Sequence, residues 1–337
     1  MRPTTARRPL TTLAALSLLA TVSILAQQQL VDPDFRAAIE KPAYTNGGPT
    51  VAIDEAHDNF HTAGGQYAPF AALLTSDGYH VVPSTRAFEP DMLRGVGVLV
   101  IANPRNMAAL RAGDITKPGF TERECDVARD WVRDGGALLL IADHAPYGQA
   151  TANLAARFGV SMGKGWVFDR PGGGDVTTQL VFSRDNGLLG THRILDGRNP
   201  GEAVRAIRAF TGQSLTVPSG AAILMKFSAT AREAPTPDDL NAEDAAVRNA
   251  GAAGAHSSAV EGRAQGIALP FGKGRLVVLG EAALFSAQII RTTEGDRTRD
   301  MKIGMNVPGN DNRQFALNVL HWLSGLLGDF TMPSLPG

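Results

Sequence analysis

The sequence contains a single cysteine in 337 residues. One thiol excludes a disulfide framework, a zinc ribbon and an iron–sulfur cluster built within one chain. The sequence also lacks an excess of charge of either sign, because 32 Lys and Arg residues oppose 33 Asp and Glu residues, and no basic run is longer than a pair. We therefore expect no nucleic-acid partner.

Several catalytic motifs are missing as well. The chain has no phosphate-binding P-loop pattern, no glycine fingerprint of a dinucleotide-binding fold after a strand, and no G-x-S-x-G elbow of a serine esterase. His57 and His61 have the i, i+4 spacing of zinc proteases, but Asp58 replaces the Glu that acts as the base in those enzymes. The lone Cys125 falls on a helical segment, where we expect a small buried side chain rather than a nucleophile.

Residues 1–26 have the pattern of a secretory signal peptide. Arg2, Arg7 and Arg8 precede an uncharged apolar stretch, and cleavage is expected after Ala26. An uncleaved membrane anchor is the alternative, since the stretch is only slightly shorter than the ~20 residues that span a bilayer. Its content of Thr, Ser and Ala favours cleavage. We expect a periplasmic or secreted protein that has no membrane span after cleavage.

The mature chain is expected to form one domain. Residues 27–48 show little periodicity and predict an irregular lead-in, residues 49–328 the domain itself, and residues 329–337 a tail. Within the domain, residues 229–262 are rich in Ala, Asp, Glu and Gly without an apolar face. That composition predicts a mobile insertion.

The first half of the domain predicts a parallel sheet covered by helices. Residues 50–53, 97–102 and 137–142 are short apolar runs, and a strand that is apolar at every position is buried on both faces. Thr121 and Glu124 form a T-x-x-E capping box that opens a helix between the last two runs. The predicted fold class is α/β, a three-layer sandwich with a mainly parallel central sheet.

The second half predicts added β-hairpins and two closing helices. Strands are expected over residues 180–182, 206–210, 214–217, 221–227, 267–271 and 275–279. Helices are expected over residues 282–290 and 311–327.

Polar side chains follow several of the predicted parallel strands. In an open α/β sheet, ligands bind beyond the carboxyl ends of such strands, so these side chains are expected to converge on one pocket. The residues are Asp54, His57, Asn59 and His61 after the first strand, Asn103 after the next, Asp143, His144 and Tyr147 after the third, and Glu281 after a later one. Asn306 is expected to add a polar contact. For any single residue, the capping of a helix or loop is the simpler interpretation.

These residue types predict acid–base or metal chemistry. The catalytic candidates are Asp54, His57, Asp143, His144 and Glu281, because a carboxylate beside imidazoles can have its pKa moved toward neutrality. A divalent metal is the cofactor considered, since carboxylate and imidazole together suit zinc, manganese or iron. Its candidate ligands are His57, His61, Asp143 and His144, and the candidate substrate-binding residues are Asn59, Asn103, Tyr147 and Asn306.

The chain resembles the class I glutamine amidotransferase-like superfamily, and within it a family of exported bacterial proteins. The resemblance is carried by residues 54–62, 142–146, 191–197, 280–288, 304–306 and 312–323. It implies a flavodoxin-like, amidotransferase-like sandwich. True amidotransferases place a nucleophilic cysteine in the turn that corresponds to residues 143–146, which here reads Asp-His-Ala-Pro. Glutamine hydrolysis is therefore excluded.

Two functional classes remain open. The first is a hydrolase that uses the carboxylates and histidines at the sheet edge on a small molecule or carbohydrate. The second is a non-catalytic ligand-binding or scaffold domain of the cell envelope. In that second class Tyr67, Tyr147, Trp166 and Phe168 contribute to a recognition surface.

Overall fold

A computed structural model describes residues 26–248, 256–294 and 297–328. The predicted tail over residues 329–337 lies outside this part of the chain, as does the predicted signal peptide apart from Ala26. Within the described residues, no helix combines the length and the apolar character that crossing a bilayer requires.

The described residues form strands and helices in a mixed order. The strands are β1 (Ala26–Val31), β2 (Thr50–Asp54), β3 (His80–Ser84), β4 (Val98–Ala102), β5 (Ala137–Ile141), β6 (Trp166–Phe168), β7 (Gln179–Ser183), β8 (Ala206–Phe210), β9 (Ala222–Lys226), β10 (Arg232–Ala234), β11 (Ser258–Ala259), β12 (Ala264–Phe271), β13 (Gly274–Leu279), β14 (Ala287–Glu294) and β15 (Arg297–Gly304). The helices are α1 (Ala68–Ser76), α2 (Met107–Arg111), α3 (Glu122–Arg133), α4 (Tyr147–Ala156), α5 (Arg193–Asp196), α6 (Pro237–Arg248) and α7 (Asn312–Leu323).

A seven-stranded mixed sheet forms the centre, in the order β3-β2-β4-β5-β13-β12-β9. Strands β3, β2, β4, β5 and β13 are parallel to one another, and β12 pairs antiparallel with β13 and β9. The three predicted parallel strands therefore lie in one sheet, as expected. The predicted hairpin over residues 267–279 is also present, as β12 and β13.

Helices cover both faces of this sheet. Alternate residues of one strand face opposite sides, so Leu139 packs in the cluster that contains α1 and α7, whereas Leu138 packs against α3 and α4. Helix α3 begins with the predicted capping box, in which the Thr121 hydroxyl accepts from the Glu124 amide and the Glu124 carboxylate accepts from the Thr121 amide. Buried Cys125 lies on this helix, as expected.

Smaller antiparallel sheets surround the centre, with the orders β1-β14-β15, β11-β10-β6 and β7-β8. The helix predicted over residues 282–290 is wrong, because only a short 3-10 turn over Ala283–Phe285 precedes strand β14. Backbone pairing with β15 overrides the local helical spacing there, and the β-branched residues of β14 suit a strand. The irregular lead-in is likewise corrected, since residues 26–31 form β1 and pair with β14.

Two further expectations fail within the second half. The segment 229–262 contains helix α6 and strands β10 and β11 rather than irregular chain, although residues 249–255 lie outside the described part. Helix α6 has two Asp residues in its first turn and Arg248 in its last turn. These charges interact favourably with the helix dipole and stabilise the helix, although it has no apolar stripe. Residues 214–217 do not form a strand, and only Leu215 among them forms isolated bridges, with Met162 and with Ala264.

Candidate functional site

A cleft of about 150 Å³ lies between the carboxyl edge of the central sheet and the small β1-β14-β15 sheet. Six of the predicted site residues line it, which are His61, Asn103, Asp143, His144, Tyr147 and Glu281. The other lining residues are Gln29, Phe60, Phe210, Ala283, Gln288, Ile290 and Ile303. The convergence of strand-end residues therefore produces a shared cavity.

Asn103 positions Asp143 within this cleft. Asn103 follows β4 with a left-handed φ of 49°, and its backbone donates to the Ile141 carbonyl while accepting from the Phe60 amide. Its side chain donates to Asp143 Oδ2 at 2.6 Å and accepts from the Asp143 amide at 2.8 Å. Asn tolerates the left-handed region better than most residues, which suits a position fixed by four hydrogen bonds.

Asp143 and Glu281 are held by three successive backbone amides. Asp143 Oδ1 accepts from the Ala282 amide at 3.0 Å. Glu281 Oε1 and Oε2 accept from the amides of Ala283 and Leu284 at 2.7 and 2.8 Å. The turn after β13 thus binds both carboxylates and places them side by side.

The pKa of each carboxyl is raised. For Glu281, burial is the main cause and the charge of Asp143 adds to it, so its pKa lies well above the ordinary value. Burial also raises the pKa of Asp143, although the charge of His144 and the hydrogen bond from Asn103 oppose the shift. The pair consequently retains a proton more readily than two exposed carboxyls would.

The side chains of His144 and Tyr147 complete the polar part of the cleft. His144 stacks on Trp166 with 4.5 Å between ring centroids, and its Nδ1 lies 2.9 Å from the Ala145 carbonyl oxygen. A carbonyl only accepts, so Nδ1 is the donor in this contact. Burial and the charge of Asp143 raise the pKa of Tyr147 to about 12, which keeps its hydroxyl protonated.

His61 is a neutral imidazole in the same cleft. It is 3% exposed, and its ring lies 4.7 Å from that of Tyr67. Burial and the charge of Arg105 lower the pKa of His61 to about 3. His61 Nε2 lies 3.4 Å from the Gln288 amide nitrogen. His61 therefore offers hydrogen bonding rather than charge.

Asp54 and His57 do not line the cleft, contrary to the sequence prediction. His57 Nδ1 donates to Asp54 Oδ2 at 2.8 Å, and His57 Nε2 donates to Glu124 Oε1 at 2.9 Å. Its ring packs against Phe88 and Phe120. Because both ring nitrogens face acceptor-only carboxylates, His57 is an imidazolium; burial alone would lower its pKa, but the two carboxylates outweigh burial and raise it.

Other candidate residues are also placed elsewhere. Asn59 is buried, where its Nδ2 donates to the Ala102 carbonyl and its Oδ1 accepts from the His57 amide. Asn306 Nδ2 donates to Asp32 Oδ2 and to the Gln288 carbonyl rather than lining the cleft. Tyr67 and Phe168 are fully buried in the core, so neither belongs to an exposed recognition surface.

The predicted metal ligands do not converge. In the part of the chain that the structure describes, no group of three His, Cys, Asp or Glu side chains is arranged to hold a metal ion. Both nitrogens of His57 are engaged by carboxylates, which removes it from the set shared with His61, Asp143 and His144. The donor set at the cleft therefore does not fit the divalent metal considered from the sequence.

Sequence reasoning missed Glu124 and the residues from the small sheet. The sequence predicts that Gln29 lies in an irregular lead-in and that Gln288 and Ile290 lie in a helix, whereas all three residues lie on strands. A signal was available, because Gly295 and Asp296 separate two runs with many Thr, Ile and charged residues, and Gly-Asp between such runs is typical of a hairpin. Glu124 carried only a capping signal, since nothing local indicates that His57 lies beside it.

No protein-family model matches this chain, and no curated protein matches it by sequence. Among solved structures, the chain is similar to the mmIFT52 N-terminal domain, with 15% identity, a TM-score of 0.54, and coverage of 84% of this chain and 100% of that one. It is also similar to two putative ThuA-like proteins. The protein from Bacteroides uniformis has 12% sequence identity and a TM-score of 0.40, and the match covers 83% of this chain and 93% of that one. The protein from Parabacteroides merdae has 11% identity and a TM-score of 0.41, and the match covers 86% of this chain and 93% of that one.

At these identities the likeness concerns architecture alone. The fold and the cleft together define a layered α/β protein with a mixed seven-stranded sheet and a carboxylate–imidazole site at its edge.

Proposed function

We propose that this protein is an exported hydrolase in which Asp143 and Glu281 act as the acid–base pair. The observation that carries the proposal is the placement of two carboxyl groups in one cleft, bound by the successive amides of residues 282–284, with both pKa values raised. Groups with raised pKa values that face a cavity are suited to general acid–base catalysis.

The two carboxyls differ in a way that assigns their roles. Glu281 is 2% exposed, and the charge of Asp143 adds to burial in raising its pKa, so it holds the shared proton and acts as the general acid. Asp143 is half-buried, and the hydrogen bond from Asn103 favours its charged form, so it accepts the proton of an attacking water, with His144 nearby in the cleft. Tyr147 and Asn103 supply neutral hydrogen bonds to the substrate.

The test is a hydrolysis assay with 4-nitrophenyl glycosides and 4-nitrophenyl acetate. We expect Asp143→Asn and Glu281→Gln each to lower kcat by about 10²- to 10⁴-fold, because a positioned acid or base contributes about that factor. Exposed Glu261 provides the matched control, and Glu261→Gln should leave turnover unchanged. Folding of each variant is checked by its urea midpoint. Equal turnover by all three variants would disprove the assignment.

A specific observation also favours the second candidate, a ligand-binding or scaffold domain of the cell envelope. Each oxygen of Asp143 and Glu281 already accepts a hydrogen bond from the protein, so the pair also fixes the turn after β13. If this second function is correct, a sugar or small polar ligand should raise the melting temperature of the wild-type protein, and no product should form. Export is tested separately, since the purified extracytoplasmic protein should begin at Gln27.

A further inference from the structure

The wall of the cleft opposite the carboxyl groups comes from a separate sheet. Gln29 of β1, Gln288 and Ile290 of β14, and Ile303 of β15 all line the cavity. These strands pair only with one another, in the order β1-β14-β15, among the described residues. The cleft therefore has a catalytic side built on the central sheet and a second side built on the small sheet.

The strand register assigns each residue of the small sheet to one face. Directly opposed residues of antiparallel strands share a face, and successive residues alternate between faces. Gln29 is opposite Ile290, which is opposite Met301, and the next row on that face joins Val31, Gln288 and Ile303. All four cleft-lining residues thus belong to one face, which we call the inner face, and lie in two of its rows. One row contains Gln29, Ile290 and Met301, and the other contains Val31, Gln288 and Ile303.

Charged side chains lie outside the rows that line the cleft. On the other face, Gln28 is opposite Arg291, and Arg291 is opposite Asp300 and binds it through two hydrogen bonds of 2.8 Å. Lys302 belongs to that face as well and pairs with Asp32 at 3.0 Å. On the inner face, Arg299 is opposite Thr292, one row beyond Ile290 and Met301. The four inner-face residues that line the cleft offer amide and aliphatic groups only.

The remaining walls of the cleft include no Lys or Arg among the described residues. Arg105, whose charge reaches His61, donates from Nε to the Asp58 carbonyl at 2.7 Å and lies over the ring of Phe60. The lining side chains of the small sheet therefore carry no charge, whereas the Asp143 carboxylate lies on the side of the central sheet.

We infer that the inner face of the β1-β14-β15 sheet is the selectivity wall of the cleft, admitting uncharged, amphipathic ligands and excluding anions such as phosphate monoesters, sulfate monoesters and carboxylates. This inference rests on the cleft being the ligand site, as the proposed function has it. The amides of Gln29 and Gln288 bind hydroxyl or carbonyl groups, and Ile290 and Ile303 cover an apolar part. An anion would meet the Asp143 carboxylate with no Lys or Arg among the described lining residues.

The test uses two nitroxides of the same framework, neutral 4-hydroxy-TEMPO and anionic 4-carboxy-TEMPO. Their paramagnetic relaxation of the Ala283 and Ile290 amide protons is measured by NMR on the full mature chain. Collisions with the protein produce relaxation whether or not a substrate is known. We expect the anionic probe to give about one-half to one-third of the neutral probe's effect at these amides, because one or two nearby carboxylates deplete anions by about that factor.

Gln29→Lys and Gln28→Lys are matched variants, since they place the same charge on opposite faces of the same strand at exposed positions. Gln29→Lys should raise the anionic effect at the cleft amides about twofold to threefold, and Gln28→Lys should leave it unchanged. An anionic effect equal to the neutral one in the wild type, or equal responses of the two variants, overturns the inference. Failure of the hydrolase proposal gives a different result. Asp143→Asn and Glu281→Gln would then turn over substrate as fast as the wild type, while the ratio of the anionic to the neutral nitroxide effect stays as expected here.

Discussion

Among the residues that the structure describes, two sets of one imidazole and two carboxyl groups have different surroundings. In the buried set, His57 donates to Asp54 and Glu124 from its two ring nitrogens, and the ring lies between Phe88 and Phe120. In the cleft set, Asp143, His144 and Glu281 face a cavity, and the hydrogen bonds of the carboxyl groups come from amides instead of from the imidazole.

The difference shows why residue type alone does not define a site. The buried set is compensated internally, because one imidazolium lies between the two carboxylates and donates a hydrogen bond to each. The cleft set has no such balance, and the pKa values of its carboxyl groups are raised, by burial first and, for Glu281, also by its neighbour. The buried set therefore stabilises the fold, whereas the cleft set is available for a ligand and a proton.

The largest expected effect on stability follows from breaking the buried set. His57→Ala leaves Asp54 and Glu124 buried without their cation, and removal of one partner from a buried ion pair costs about 3–5 kcal/mol of unfolding free energy. Urea denaturation measures this loss. His144→Ala is the matched control from the cleft, since half-buried His144 bonds only to the neighbouring Ala145 carbonyl. A similar loss in both variants would contradict the distinction between the sets.

A smaller effect is expected in the pH dependence of stability. The raised pKa of His57 contributes stability that is present in full below its unfolded value of 6.5 and is lost as the pH rises through the folded value. The pKa of Glu124 is lowered, since hydrogen bonds from His57 and Thr121 outweigh burial, so its contribution is lost in acid below 4.5. The two contributions coexist between pH 4.5 and 6.5.

The measurement is the unfolding free energy of wild type and of His57→Gln between pH 5 and 9. The raised carboxyl pKa values of the cleft are common to both proteins, so the difference between the curves isolates His57. We expect that difference to shrink as the pH rises above 6.5. A difference that stays constant or grows with pH would show that His57 is not an imidazolium in the folded protein.

The central sheet could be predicted because its sequence signal is local. Residues 137–141 are apolar at every position and buried at every position, and such a run has few alternatives to a strand covered on both faces. Strand β14 lacked that clarity. The sequence up to Ile290 predicts a helix, and the pairing of β14 with the distant β1 and with β15 determines its extended conformation instead.

The site was predictable to the extent that topology determines it. Asn103, Asp143 and Glu281 follow neighbouring parallel strands, so their convergence follows from the strand order. His57 follows a strand of the same sheet, yet its side chain turns to Glu124 on helix α3. The direction of the His57 side chain depends on how helix α3 packs against the sheet, and the position of His57 after a strand does not predict that packing.

The smallest expected effect concerns Cys125, which reports local opening of the buried set. It adjoins Glu124 on α3, is fully buried, and has its pKa raised to about 12, mainly by burial. Iodoacetamide at pH 8 should therefore label it only through opening of α3. We expect His57→Gln to speed labelling about tenfold, the factor for about 1.4 kcal/mol of lost local stability, and His144→Ala to leave the rate unchanged. Mass spectrometry follows the labelled fraction, and equal rates in the two variants would show that the buried set does not secure α3.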